Sequence, residues 1–332
     1  MRFYLISLSF LFAGTVSANS LDHPGDMLST GQQTVINEVS VSDWYASGEY
    51  IDNAEKDFSE VFDRGIADAR KKGYGFTTLV NYWLGVSRDL NLGVRYGYAY
   101  DKYDVEVSGN DAVAYNGEWK NEGGTDIDLM AKYRYNDISV FEAEVRIPGC
   151  QGTSRGVLCS SKLGRPGNSE QSSVSGGQGQ GHFSMKLGMA ANWITPMETH
   201  WAARAYVEGG ISDEVGNAKV QTPIRIGGSF AAIFNENTEH HWMLSLNLMR
   251  QHNYDVYSEQ VQQEVDFGSA SRLSIRGDYF WDVMPILQVR PFAEFAIEQH
   301  PNASFDKDGV ARRFEYSGGS HVKLGAQLVA HF

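Results

Sequence analysis

Apolar and polar residues alternate along much of this chain, and the last segment shows the pattern most fully. Between positions 319 and 332, the apolar residues on one face are Val322, Leu324, Ala326, Leu328, Ala330 and Phe332. Lys323, Gln327 and His331 fall on the other face. A period of two is typical of a β-strand with one apolar and one polar face. The pattern therefore predicts an all-β protein.

About twelve segments carry this alternation, near 42–51, 75–87, 89–102, 125–135, 138–147, 181–194, 199–209, 222–234, 240–252, 269–281, 286–298 and 319–332. The connections between them are short and long in turn. The long ones are 52–74, 103–124, 148–180, 210–221, 253–268 and 299–318. This layout is typical of a transmembrane antiparallel up-and-down β-barrel with short periplasmic turns and long extracellular loops. An even strand number would place both termini on the periplasmic side.

Soluble β-sandwiches also alternate, and the tryptophans favour the membrane barrel. Alternation places five of them outward at one end of the predicted barrel: Trp44, Trp193, Trp201, Trp242 and Trp281. Amphipathic rings collect at the height of the lipid headgroups. A soluble protein gains nothing from aligning tryptophans at one height. We therefore predict a barrel over residues 42–332 with an aromatic belt.

The N-terminus has the features of an export signal. Arg2 precedes an apolar run over 3–12, and small residues follow at Val16, Ser17 and Ala18. The run is too short for a membrane anchor, so we predict a signal peptide over 1–18 that is cleaved after Ala18. Residues 19–41 would then form a periplasmic segment, either a tail or a plug. The expected location is the bacterial outer membrane of a Gram-negative cell.

Composition narrows the partners. The chain has 332 residues, 28 Lys and Arg against 41 Asp and Glu, and a net charge of −13. An acidic chain without a basic block is a poor nucleic-acid binder, because phosphate contacts need clustered Lys and Arg. Two cysteines cannot form a Cys₄ zinc site. We expect no metal or cofactor, and we expect contacts with outer-membrane lipid and lipopolysaccharide.

The predicted loops leave two questions open. Cys150 and Cys159 lie in the Gly- and Ser-rich loop 148–180, where a disulfide would staple either a solvated loop or an inward constriction. The loop 52–74 has apolar residues at helical spacing: Phe58, Val61, Phe62, Ile66 and Ala69. These predict either an amphipathic helix on the rim or in the lumen, or an extended hairpin.

Alternation directs many charged residues into the lumen. They are Glu49, Arg95, Asp128, Lys132, Arg134, Glu142, Glu144, Arg146, Lys186, Arg204, Glu208, Arg225, Arg272, Arg276, Asp278, Arg290, Glu294 and Lys323. Such a wall could conduct polar solutes and tune selectivity. Alternatively, the opposite charges could pair across the interior and fill it.

Two stretches resemble a known family. They are 123–135 (GGTDIDLMAKYRY) and 177–193 (GQGQGHFSMKLGMAANW), and the opening 43–50 (DWYASGEY) is similar in style. They resemble the MetA-pathway of phenol degradation family, which implies an outer-membrane transporter of small organic, often aromatic, molecules. Phe332 resembles the C-terminal insertion signal that the barrel-assembly machinery reads. The resemblance assigns no substrate-contacting residue.

The residues do not predict an enzyme. His182 and Ser184 form a His-x-Ser pair, but alternation points both into the lumen, no Gly-x-Ser-x-Gly motif surrounds Ser184, and no His-Glu-x-x-His motif is present. We therefore expect a channel for passive uptake of small organic molecules. A closed structural or surface-interaction barrel is the alternative, and an outer-membrane lipid hydrolase is a weaker one.

Overall fold

A computed structural model describes residues 25–52, 66–108, 115–147, 183–195, 199–210, 213–215, 218–220, 224–235, 239–258, 263–299, 303–307 and 310–332. Within these ranges, no helix is long and apolar enough to cross a membrane. All regular elements are strands, and they form one continuous antiparallel sheet.

The sheet contains 18 strands. They are β1 (Gln33–Asp52), β2 (Ile66–Ser87), β3 (Leu90–Ser108), β4 (Tyr115–Gly124), β5 (Ile127–Arg134), β6 (Ser139–Ile147), β7 (Ser184–Ile194), β8 (His200–Gly210), β9 (Asp213–Val215), β10 (Ala218–Val220), β11 (Arg225–Phe234), β12 (His240–Gln251), β13 (Tyr254–Ser258), β14 (Gln263–Phe267), β15 (Ala270–Met284), β16 (Leu287–Gln299), β17 (Ala303–Lys307) and β18 (Val310–His331).

These pieces make a closed barrel of twelve strands. Several barrel strands consist of two successive pieces that pair with the same neighbour, as β4 and β5 both pair with β3. The first and last strands close the sheet, with a register that runs from Thr34 opposite His331 to Asp52 opposite Arg312. Closure leaves no unpaired edge, which is what a spanning sheet requires in lipid. The predicted fold class is confirmed.

The two ends of the barrel differ. At one end, which we call the turn end, short connections join successive barrel strands, and they comprise residues 88–89, 135–138, 195–199, 235–239 and 285–286. In the second of these, Asn136 Oδ1 accepts hydrogen bonds from the backbone N–H groups of Ile138 and Ser139, at 2.9 and 2.7 Å. The backbone N–H of Gln33 donates to the carbonyl of Phe332, and the N–H of Phe332 donates to the carbonyl of Gln33, both at 2.9 Å. The first and last strands therefore meet at the turn end.

The outer face is apolar. Along β12, Trp242, Leu244, Leu246 and Leu248 are exposed, whereas the intervening Ser245 is buried. The same alternation holds along β7, where Met185, Leu187 and Met189 point outward. An unbroken apolar exterior around a polar interior is the arrangement that a bilayer selects.

Two predicted boundaries were wrong. The first strand begins at Gln33 rather than near 42, so residues 33–41 belong to the barrel wall. The second begins at Ile66, which places Ile66 and Ala69 in a strand and not in a helix. Pairing of β1 with β2 continues to Ile51 opposite Ile66. The hydrogen bonds between the two strands satisfy the backbone N–H and C=O groups there, so the helical spacing of apolar residues does not decide the structure. Phe58, Val61 and Phe62 lie outside the described residues.

Candidate functional site

Charged side chains line the interior, as strand alternation predicts. The luminal residues, all buried or half-buried, are Arg95, Asp128, Lys132, Arg134, Glu142, Glu144, Arg146, Lys186, Arg204, Glu208, Arg225, Arg272, Arg276, Asp278, Arg290, Glu294 and Lys323. Glu49 lies in β1, and its side chain is outside the described part of the chain. Most of these side chains fall into two groups, one on strands from β3 to β11 and the other on β15, β16, β18 and β1.

The first group shares its carboxylates, and Glu144 is its centre. This carboxylate accepts hydrogen bonds from Arg95 at 3.1 Å, from Arg146 at 3.0 Å and from Lys186 at 2.7 Å. The three donors come from β3, β6 and β7. Because a buried charge is tolerated only when it is paired, one carboxylate here compensates three cations.

Two more carboxylates extend this group in both directions. Asp128 accepts from the guanidinium groups of Arg95 and Arg146, at 2.7 and 2.8 Å. Glu208 accepts from Arg146 at 3.1 Å and from Arg225 at 3.2 Å. We call this group the shared network; it comprises Arg95, Asp128, Glu144, Arg146, Lys186, Glu208 and Arg225.

The second group consists of smaller units, which we call the separate pairs. Arg276 binds Asp278 at 2.6 Å, and Lys323 binds Glu38 at 2.8 Å. Arg272 binds Glu294 at 2.7 Å and also reaches Glu298 at 3.1 Å. In the ion pairs formed within the described ranges, Asp278, Glu38 and Glu294 each bind one cation.

Two members of the separate pairs were missed in the sequence. Glu38 was assigned to a periplasmic segment because the first strand was expected to start later. Glu298 continues the inward alternation of Arg290 and Glu294, so the signal that could have found it was present at the end of the predicted segment.

Between the two groups the lumen keeps a cavity of about 340 Å³. Its charged lining comes from both groups and includes Arg95, Lys186 and Arg276. Its apolar lining consists of Ile36, Trp83, Met130, Ala131, Ala143, Met243 and Phe280. The ion pairs therefore cover the wall without filling the interior.

Aromatic rings support several of the luminal cations. The guanidinium carbon of Arg276 lies 3.8 Å from the ring centre of Phe292, and Lys323 Nζ lies 5.4 Å from the same ring. Arg290 lies 4.9 Å from the ring centre of Phe280. A cation over an aromatic face is stabilised electrostatically by the ring, without a carboxylate as partner.

An N-terminal segment crosses the turn end. Lys132 Nζ donates to the carbonyl oxygen of Asp26 at 3.2 Å, and Asn192 Nδ2 donates to its carboxylate at 3.2 Å. Leu28 is 1% exposed. The N–H of Gly31 donates to the carbonyl of Gly85 at 2.7 Å. These contacts reach strands on different sides of the barrel, so the segment 25–32 lies across the interior rather than trailing away from it.

The tryptophans divide into two sets. Trp193, Trp201, Trp242 and Trp281 lie on the outer face near the turn end, and Trp193 and Trp201 are cross-strand neighbours. The prediction that Trp44 belongs to the outer belt is wrong, because its side chain is only 8% exposed and faces the lumen. Its partner in β2 is Gly73, where a Cβ would lie 2.5 Å from the indole. The missing side chain gives the indole room inside the barrel.

Of the remaining predicted residues, Ser184 and Phe332 lie in the described part of the chain, and they are far apart in the barrel. Ser184 is buried on the inner face of β7, and His182 lies outside the described residues. Cys150 and Cys159 also lie outside them. Phe332 is exposed directly after β18, at the turn end.

Fold and lumen together define a transmembrane β-barrel with an ion-paired interior, and several solved structures are similar to it. An outer membrane channel from Pseudomonas putida F1 has a TM-score of 0.48 and 11% identity, covering 95% of this chain and 100% of that one. The deltaS2 mutant of the monoaromatic hydrocarbon channel TodX has a TM-score of 0.41 and 11% identity, covering 92% and 91%. The outer membrane protease OmpT from Escherichia coli has a TM-score of 0.34 and 8% identity, covering 91% and 97%.

No protein-family model matches the chain, and no curated protein matches its sequence. All three of these TM-scores are below 0.5, so the similarities assign the barrel no activity. The resemblance to the MetA-pathway family still depends on the quoted segments.

Proposed function

We propose that this protein is an outer-membrane channel through which small organic molecules move passively. The observation that carries the proposal is the cavity of about 340 Å³ inside a closed barrel, lined by charged, aromatic and methionine side chains. A barrel that served only as a scaffold would gain more from a packed interior, since unfilled space lowers stability.

The membrane assignment is supported by the exterior. Large apolar side chains cover the outer face, and Trp193, Trp242 and Trp281 lie near the turn end, at the height expected for headgroups. We infer that the turn end faces the periplasm. Export through cleavage after Ala18, insertion guided by the strand that ends at Phe332, and loop contacts with lipopolysaccharide complete the proposed setting.

A closed structural barrel is the second candidate, and one observation favours it. The segment 25–32 packs across the turn end, where Met27 and Leu28 are buried. The two candidates differ in whether this packing leaves a path for solute. An enzyme is the least supported assignment, since the described residues around Ser184 provide no histidine and carboxylate that could activate it.

Planar-bilayer recording of the chain from residue 19 onward, refolded in detergent, tests the proposal. Discrete current steps, together with swelling of liposomes in small organic solutes, are expected of a channel. A barrel that is folded, as judged by its heat-dependent shift on a gel, and that passes neither ions nor solute would overturn passive conduction and favour the closed barrel.

A further inference from the structure

The cavity carries an excess of positive charge. Its lining has three carboxylates, from Glu142, Glu144 and Asp278. It has six cations: Arg95, Lys132, Lys186, Arg204, Arg276 and Arg290. The whole chain, by contrast, has a net charge of −13. The cationic lining is therefore a local feature that runs against the composition of the chain.

The carboxylates Glu142 and Glu144 of the lining already form ion pairs with cations of the wall. Glu142 contacts both Lys132, at 3.7 Å, and Arg204, at 2.5 Å. Glu144 is divided among three cations of the shared network. Behind the lining lie five carboxylates and four cations: Asp128, Glu208, Glu38, Glu294 and Glu298 against Arg146, Arg225, Arg272 and Lys323. This second layer lowers the excess of positive charge at the cavity surface by one and does not cancel it.

Such a surface attracts anions. A concave site lined mainly by one sign of charge, with low-dielectric walls, concentrates the opposite charge. A guanidinium has five N–H donors, so Arg204 can bind Glu142 and still offer donors to a second carboxylate. Cations that share their carboxylates are the side chains best placed to accept another anion.

The apolar part of the lining restricts the kind of anion. Trp83, Phe280, Met130 and Met243 reach the same cavity as the cations. Aromatic and thioether groups contact planar organic rings favourably and offer little to a fully hydrated inorganic ion. The site thus combines a cationic part with an apolar part.

We infer that the cavity takes small organic anions, with a carboxylate held by the cations and a ring or short apolar body against Trp83 and Phe280. This inference deepens the proposed function, since it names the solute class of that channel. The occupant that fits this chemistry in its simplest form is an aromatic carboxylate such as benzoate.

Calorimetric titration of the folded chain in detergent with benzoate tests the inference, with benzyl alcohol as the neutral analogue of similar size. We expect one benzoate per chain, bound at least about tenfold more tightly than benzyl alcohol, the difference expected from one charge-assisted contact. Equal binding of the two compounds would overturn the anionic assignment. Displacement of benzoate by equimolar inorganic phosphate would overturn the role of the apolar lining.

Matched variants locate the site. Arg204→Gln should weaken benzoate binding about tenfold, and Arg204→Lys, which keeps the charge, should restore most of the affinity. Arg272→Gln removes a luminal cation that does not line the cavity and should leave the affinity within about twofold. The same loss in Arg204→Gln and Arg272→Gln would contradict the assignment to this cavity, and the gel shift identifies any variant that fails to fold.

The titration is independent of conduction. Benzoate binding without bilayer currents or liposome swelling would refute the passive channel and preserve the anion site. Currents without benzoate binding would refute the anion site and preserve the channel.

Discussion

The shared network and the separate pairs, which form two parts of the luminal wall, compensate their buried cations in different ways. In the shared network, Glu144 is divided among three cations from three strands. In the separate pairs, Asp278 serves Arg276 and Glu38 serves Lys323, and the ring of Phe292 lies beside both cations. Shared carboxylates couple neighbouring strands, whereas an aromatic face stabilises each cation without coupling it to distant charges. We therefore expect the first wall to respond to substitution as a unit and the second to respond residue by residue.

The largest effect is expected for Glu144→Gln. The substitution removes the carboxylate that Lys186 binds, and Arg95 and Arg146 keep only Asp128 and Glu208 as counter-charges. Breaking a buried pair such as Lys186–Glu144 costs about 3 kcal/mol. Glu294→Gln, the matched change in the separate pairs, should cost about 1 kcal/mol because Arg272 retains Glu298. Urea unfolding in detergent, followed by the gel shift, measures both. Equal losses would remove the distinction between the walls.

Gly85→Ala should have the next largest effect, and it acts where the N-terminal segment meets the wall. A Cβ at Gly85 would lie 2.1 Å from the backbone oxygen of Ser29, so the segment 25–32 must move. Overpacking of this kind costs about 2 kcal/mol. Lys132 and Asn192 hold the segment inside the turn end of the lumen. Because the displaced segment would cover less of that opening, we also expect higher conductance.

Gly277→Ala is the control for this substitution. No atom lies within 4 Å of a Cβ built at Gly277. Its free energy of unfolding should stay within about 0.5 kcal/mol of the parent value, since removing glycine flexibility from a compatible site is neutral or stabilising. A Gly85→Ala protein with parental stability and conductance would show that the segment does not restrict the lumen.

The walls also mark the boundary of what the sequence could predict. Alternation assigned Arg95, Asp128 and Arg276 to the lumen because side-chain direction in a strand has a period of two. It could not predict which charges meet. Arg146 reaches Glu208 across β7, and that contact depends on the registers of β6 with β7 and of β7 with β8 rather than on spacing along the chain.

The errors have related causes. Alternation placed Trp44 outward with the other belt tryptophans, but the space beside Gly73 is visible only when β1 and β2 are paired. The early start of β1 was missed because residues 33–41 include polar luminal side chains such as Glu38 and Ser40, so the segment is polar in overall composition. Long-range pairing decided both cases.

Coupling between variants should produce a smaller effect of about 1 kcal/mol. Glu144 and Glu208 share Arg146, so the cost of Glu144→Gln combined with Glu208→Gln should differ from the sum of the single costs by that amount. Glu144→Gln combined with Asp278→Asn should be additive within about 0.5 kcal/mol, since the two carboxylates contact different cations. Additivity in both cycles would mean that the network is not cooperative.

The smallest effect tests the aromatic support of the separate pairs. Phe292→Leu preserves an apolar side chain but removes the ring face beside Arg276 and Lys323. A cation over an aromatic face gains about 1 kcal/mol, so the free energy of unfolding should fall by about that amount. Phe295→Leu, on the exposed outer face of the same strand, is the matched control and should cost less than about 0.5 kcal/mol. If both leucine variants unfold alike, the separate pairs depend on their carboxylates alone, and only the number of cations per carboxylate distinguishes the two walls.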